Sequence, residues 1–161
     1  KAAAAQYLDE VKTVNLAPAD EKAQQTKALL ERYWCNVNNH YIYGSTMEDM
    51  QAYAANAGQY ESAQTTLTDY SEVIRDIKAS PNGPGCVRVT VEYDVSMTMD
   101  REDPQYQIYG LECDTYGYMG SINMQAEDPL VCSQNLMLTF YMYEQNGQWK
   151  IGCLDAEPNA Y

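Results

Sequence analysis

The chain predicts an α+β fold in which helices come first and an antiparallel sheet follows. Three observations carry this. Thr26, Leu30, Tyr33, Trp34, Val37 and Tyr41 recur at helical spacing and form one apolar stripe. Val87, Val89, Val91, Tyr93, Val95 and Met97 alternate with Arg88, Thr90, Glu92, Asp94 and Ser96, the pattern of a strand with one buried face. Two further alternating runs flank Asn146-Gly147, the dipeptide best suited to the positive φ angles of a two-residue hairpin turn.

Taken in order, Ala3, Tyr7 and Val11 suit a weak leading helix over residues 1–13. Pro18 breaks it, and Asp20 is placed to cap the next helix, expected from Asp20 to about Tyr41. Ser45 with Glu48 makes a capping-box pattern for a short helix to about Asn56, which Ala57-Gly58 ends. Ala63, Leu67, Tyr70, Val73, Ile74 and Ile77 share one helical face, so a third helix is expected over Glu61–Lys78. The alternative is that Thr65-Thr66 and Thr68 start a strand. Ser80-Pro-Asn-Gly-Pro-Gly85 is the strongest turn signal and marks the boundary between helices and strands.

After the Val87–Met97 run, Asp100–Pro104 turns the chain. Gln105–Cys113 with Thr115–Met124 reads as a long strand or bulged pair, and the pattern resumes at about Val131. In the final hairpin Gln145 faces Gln148, Met142 opposes Ile151 and Phe140 opposes Cys153. Leu136, Leu138, Phe140, Met142, Ile151 and Cys153 then share an apolar face. The expected organisation is an N-terminal extension or weak helix over residues 1–19, then a single domain over 20–161.

Composition narrows function. With 23 acidic and 10 basic residues among 161, the formal charge is −13, which disfavours nucleic acid and anionic membranes because both demand a basic surface. No apolar run reaches the ~18 residues of a membrane span. The start at Lys-Ala-Ala-Ala-Ala, without Met, suggests that a signal peptide or anchor has been removed. Fifteen Tyr against one Phe and two Trp suits a thin sheet with a wet outer face better than a hydroxyl-lined pocket. Cys35, Cys86, Cys113, Cys132 and Cys153 contain no C-x-x-C pair. Two bridges and one free thiol would allow about 15 pairings, while an odd count fits reduced thiols equally well. The balance leans to an exported protein with one bridge, whose members spacing does not name.

The element order, together with Asn146-Gly147-Gln148-Trp149-Lys150-Ile151, resembles the NTF2-like, or cone-shaped, α+β superfamily over roughly residues 20–155. That fold serves isomerases, dehydratases and non-catalytic extracellular modules, so it implies architecture more than activity. The acidic, tyrosine-rich character is similar to extracellular NTF2-like domains tethered as lipoproteins or membrane-anchored proteins in Gram-positive and gut bacteria.

Each candidate residue carries a structural alternative. His40, the single histidine, excludes two-imidazole metal sites, and its place near a helix end suits carbonyl capping better than general-base chemistry. In the enzymatic branches of the fold a carboxylate inside the cone takes a proton beside a carbonyl. Glu92 and Asp94 here point outward with Arg88, so a solvated face is the stronger reading. The acidic turns Asp100–Asp103 and Glu127-Asp128 lack EF-hand spacing and are read as solvent-facing. Cys35 beside Trp34 is read as a packed thiol rather than a reactive one. No phosphate-binding, dinucleotide, zinc-protease or serine-hydrolase motif occurs, and neither a metal nor a cofactor is called for.

The leading expectation is a non-catalytic extracellular binding module that holds a small ligand or protein partner, with Tyr33, Trp34, Tyr41, Tyr93 and Trp149 as contacts. The alternatives are an isomerase or dehydratase using His40 or Asp94 as base, and a structural spacer. Tyr141 and Tyr143, on the outer side of the hairpin, would suit a homodimer formed through the sheet.

Overall fold

The strand Cys86–Met99 (β2) sets the register for the rest of the sheet. The computed structural model describes residues 1–35, 65–103, 106–111, 113–114 and 128–158. These form helix α1 (Ala2–Leu16), a 3-10 turn (Ala19–Glu21), helix α2 (Lys22–Tyr33), and strands β1 (Leu67–Pro81), β2, β3 (Gln107–Ile108), β4 (Cys113–Asp114), β5 (Val131–Gln145) and β6 (Gln148–Pro158). The main sheet is antiparallel in the order β1-β2-β5-β6, and β3 pairs with β4 separately. Along β2 the odd residues from Val89 to Met99 are buried and the even ones are not, as alternation predicts.

Helix α1 lies on the buried face. Ala4, Tyr7, Leu8 and Val11 are fully buried and join one core with Val91, Tyr93, Leu138, Phe140 and Ile151. The stripe predicted on α2 is present from Thr26 to Tyr33, with Thr26, Leu30 and Tyr33 all buried. The result is an α+β fold with helices on one face of a four-stranded antiparallel sheet, as expected for the NTF2-like cone.

Several expectations are corrected. The segment Glu61–Lys78 is not a helix, since its described part from Leu67 is strand β1, antiparallel to β2. Two bulges account for the misleading pattern. One at Thr68 absorbs a residue between Leu67 and Tyr70, and one at Arg75 does so between Ile74 and Ile77, so inward positions fall three apart as in a helix. Ser80–Gly85 therefore joins two strands instead of dividing helices from strands, with Gly83 at φ +90° and Gly85 at φ +69° shaping the turn.

Helix α2 stops at Tyr33, short of Tyr41. Trp34 is extended (φ −97°, ψ 152°) and forms a parallel bridge to Ile151, and the Cys35 amide donates to the Ile151 carbonyl at 2.9 Å. Tertiary pairing with the sheet edge overrides the helical pattern. Asp20 sits within the 3-10 turn, and the N-cap of α2 is Glu21, whose side chain makes no capping hydrogen bond. Residues 36–64, which include His40, Tyr41 and the Ser45–Glu48 capping box, lie outside the described residues.

The hairpin keeps its predicted turn. Asn146 has φ +52° and Gly147 φ +78°, Gln145 pairs with Gln148 and Met142 with Ile151. Beyond that the register shifts, because Gly152 is an extra residue on β6. Tyr141 faces Cys153 and Phe140 faces Leu154. Leu154 thus takes the inward place expected of Cys153, which is buried on the other side of the sheet with Tyr141. Of the long strand or bulged pair expected over Gln105–Cys113 with Thr115–Met124, the described residues show the short antiparallel ladder of β3 and β4, and residues 105, 112 and 115–127 lie outside the described residues.

Candidate functional site

Three arrangements on the helix-facing side of the sheet carry chemistry. The first is an open groove of about 310 Å³ bounded by Lys1, Ala2, Ala3, Val87, Val89, Met142 and Trp149. Trp149 opposes Glu144 two residues beyond the Met142–Ile151 pair, so alternation places its ring on the helix-facing side, where it is 41% exposed. An indole edge and a flexible thioether over valine and alanine methyls make a surface suited to apolar contact.

The second is a hydroxyl and carboxylate chain. Tyr93 on β2 is fully buried and donates to Glu72 Oε2 at 2.5 Å, while its hydroxyl lies 2.9 Å from that of Tyr70. Glu72 faces Val95 across the β1-β2 pair and so shares the inward side with Tyr70 and Tyr93. Burial, then the neighbouring Tyr70 and Glu72, pushes the Tyr93 hydroxyl well above the ordinary tyrosine value, so it holds its proton and acts as a donor.

The third is a buried polar knot at the start of α2. Lys22 is fully buried, its ammonium 3.0 Å from the Thr65 carbonyl and 3.4 Å from the Tyr106 hydroxyl, over the rings of Tyr106 and Tyr109 at 5.1 and 5.3 Å. Burial lowers its pKa, Asp100 and Asp103 pull it partway back, and the outcome is about 8. Asp103 is buried and accepts from Thr65 Oγ1 at 2.7 Å, which corrects the solvent-facing expectation for this one residue, while Asp100, Arg101 and Glu102 of the same turn are exposed. Asn15 completes the knot. Its amide nitrogen donates to the Val11 and Tyr109 carbonyls, and its oxygen accepts from Tyr106 Oη and the Tyr109 amide.

The residues singled out from sequence fall in different places. Tyr33 and Trp34 are buried, the first edge-on to Tyr7 at 5.4 Å and the second donating its indole N–H to Tyr7 Oη at 3.2 Å. Tyr7 in turn donates to the Gly110 carbonyl at 2.7 Å. Asp94 lies on the outer face, paired with Arg75 and accepting from Asn135. Trp149 is the exposed ring, and His40 and Tyr41 lie outside the described residues. Sequence reasoning missed Glu72, Tyr70, Lys22 and Asn15. Glu72 was hidden because its segment was read as a helix, and the other polar members carry no local signal of burial.

No family model matches the chain, and no curated protein matches it. Solved structures do. A protein from Novosphingobium aromaticivorans provisionally named a scytalone dehydratase superposes with a TM-score of 0.55 at 7% identity, covering 98% of this chain and 82% of its own. The type 2 hexachlorocyclohexane dehydrochlorinase LinA gives 0.50 at 10% identity, with 98% and 86% covered. The intermembrane-space region of the chloroplast protein ARC6 gives 0.50 at 10%, with 97% and 95% covered. The fold is that of the NTF2-like cone, and at these identities the likeness concerns architecture alone. Similar structures include proteins named as enzymes and a region of an organelle protein, so fold by itself does not choose between catalysis and binding.

Proposed function

We propose that this chain is a binding module of an exported or membrane-anchored protein, a single α+β domain that holds a small apolar or aromatic ligand against Trp149. The observation that carries the reading is the exposed Trp149 ring standing beside Met142, Val87 and Val89 in the 310 Å³ groove. That volume falls at the small end of ligand sites, and an aromatic ring beside apolar side chains in a concave groove is the lining such sites use. The acidic, tyrosine-rich composition and the resemblance to tethered extracellular domains support the exported setting.

The two tryptophans supply the test. Trp34 is buried and hydrogen-bonded, whereas Trp149 is exposed, so titrating the protein with a naphthalene-based probe should change the emission of Trp149 alone. Trp149→Phe should remove the change, and Met142→Ala should weaken binding at least several-fold. An unchanged response in Trp149→Phe sinks the reading.

Glu72–Tyr93–Tyr70 favours a second reading, acid–base catalysis on a carbonyl substrate with Glu72 as base and a tyrosine hydroxyl as donor. It replaces Asp94, whose carboxylate is occupied on the opposite face. Turnover of a β-hydroxy ketone that disappears in Glu72→Gln would establish it, and no turnover by the wild type rejects it for that substrate class.

A further inference from the structure

The end of α2 and the last strand bring two thiols onto one face of the sheet. Trp34 bridges Ile151 in parallel, with its indole turned inward to Tyr7, so alternation turns the next side chain, Cys35, to the outer face. The extra residue Gly152 does the same for Cys153, which pairs with Tyr141 on that face. Cys35 lies one strand spacing from Gly152 and one residue along from Cys153. Strand geometry then sets their Cα atoms about 6 Å apart, within the range a disulfide spans. Both thiols are free and buried, and both act on the same Tyr143 hydroxyl, raising its pKa after the larger effects of its hydrogen bond to Cys86 and of burial.

We propose that Cys35 and Cys153 form a disulfide that fastens the end of α2 to β6. The neighbouring thiols are placed wrongly for either partner. Cys86 pairs with Tyr143 on the far side of β5, two strand spacings or about 10 Å from β6, and Cys132 pairs with Met97 on the inward side. The oxidant is a disulfide donor such as oxidised glutathione. The Cys35 thiolate attacks one glutathione sulfur, the S–S bond breaks and one glutathione thiolate leaves. The Cys153 thiolate then attacks the mixed disulfide at the Cys35 sulfur and expels the second. Two cysteine thiols are oxidised, one disulfide is reduced, and the two cysteine protons end on the departing glutathiones. Burial pushes the Cys35 thiol up while the Lys150 ammonium draws it back, and burial takes Cys153 to about 12, so Cys35 is the fitter first nucleophile.

The inference does not depend on the ligand groove. It is tested by refolding the full chain from urea in a glutathione redox buffer, blocking remaining thiols and mapping tryptic peptides. Cleavage places Cys35 in 33–75, Cys86 in 79–88, Cys113 and Cys132 in 102–150, and Cys153 in 151–161, so the partner is read directly. The expected result is a 33–75 to 151–161 link and an unfolding midpoint about 5–10 °C above that of the reduced protein. Cys35→Ser and Cys153→Ser should each lose both. Alkylation of Cys35 and Cys153 after oxidative refolding, or a link from either to another peptide, overturns the proposal. The wild-type map decides even if a serine variant fails to fold.

Discussion

Replacing Lys22 with Met should alter how stability depends on pH more clearly than it alters stability itself. The methionine fills much the same volume but cannot reach the Thr65 carbonyl or the Tyr106 hydroxyl, and it carries no charge into the rings of Tyr106 and Tyr109. At pH 7 the lost contacts and the relieved burial of an ammonium oppose each other, so the net change is small compared with either. The pH profile separates them. Lys22 has its pKa lowered from 10.5 to about 8 in the folded state. Between these values the unfolded chain binds more protons than the folded one, so this group makes stability rise with pH through that window. From pH 7 to pH 9 the rise amounts to about 1 kcal/mol. The buried Cys153 thiol, raised to about 12, works in the opposite direction above pH 9, where the unfolded thiol ionises and the folded one does not. Because Cys153 is present in both proteins, subtracting the profiles cancels it. Urea midpoints followed by tryptophan fluorescence at pH 7, 8 and 9 should show Lys22→Met losing about 1 kcal/mol relative to wild type between the extremes. Parallel profiles would refute a buried, proton-shedding Lys22.

Three further outcomes follow from the geometry. Tyr7→Phe removes the donor to the Gly110 carbonyl and the acceptor for the Trp34 indole, both buried, and should cost about 2–3 kcal/mol in chemical denaturation. Gly110→Ala combines φ +91° with a Cβ that would stand 2.9 Å from Val11 Cγ2, whereas Gly83→Ala has φ +90° with open space around it. The first should exceed the second by about 2 kcal/mol or more, and equal losses would contradict the packing of α1 on the β3 turn. Phe140→Ala should destabilise by about 3–5 kcal/mol, since this fully buried ring meets Tyr7 edge-on at 6.0 Å, while Met137→Ala on the same strand should stay within about 0.5 kcal/mol because that side chain is exposed.

The parts of the fold that were legible are those where local pattern and tertiary role agree. Asn146-Gly147 specifies its own turn, and uninterrupted alternation along β2 states which face is buried. The α2 stripe reads correctly until Tyr33, where pairing of Trp34 with Ile151 decides the backbone and helical periodicity no longer does. Strand β1 was opaque for a geometric reason. Bulges at Thr68 and Arg75 convert period two into spacings of three, which no periodicity argument separates from a helix without knowledge of the partner strand. Of the site, the exposed Trp149 follows from the hairpin register. The contacts of Lys22, Asn15 and Glu72 come instead from residues up to 94 positions away in sequence, and no spacing along the chain announces them.

The Gly152 bulge also sets how this chain tolerates changes in length. Deleting that one residue would join Ile151 directly to Cys153 and restore an unbroken ladder, with Cys153 still opposite Tyr141 on the outer face and Leu154 and Ala156 still inward. A deletion in the middle of a strand would usually be compared with one in a loop by counting lost contacts. Here the bulge absorbs the first deletion, and a second one would act as a phase change whose effect reaches the last described residue of β6. The C-terminal half of the strand therefore keeps its faces when the one residue between Ile151 and Cys153 is lost, but not when a second is lost with it.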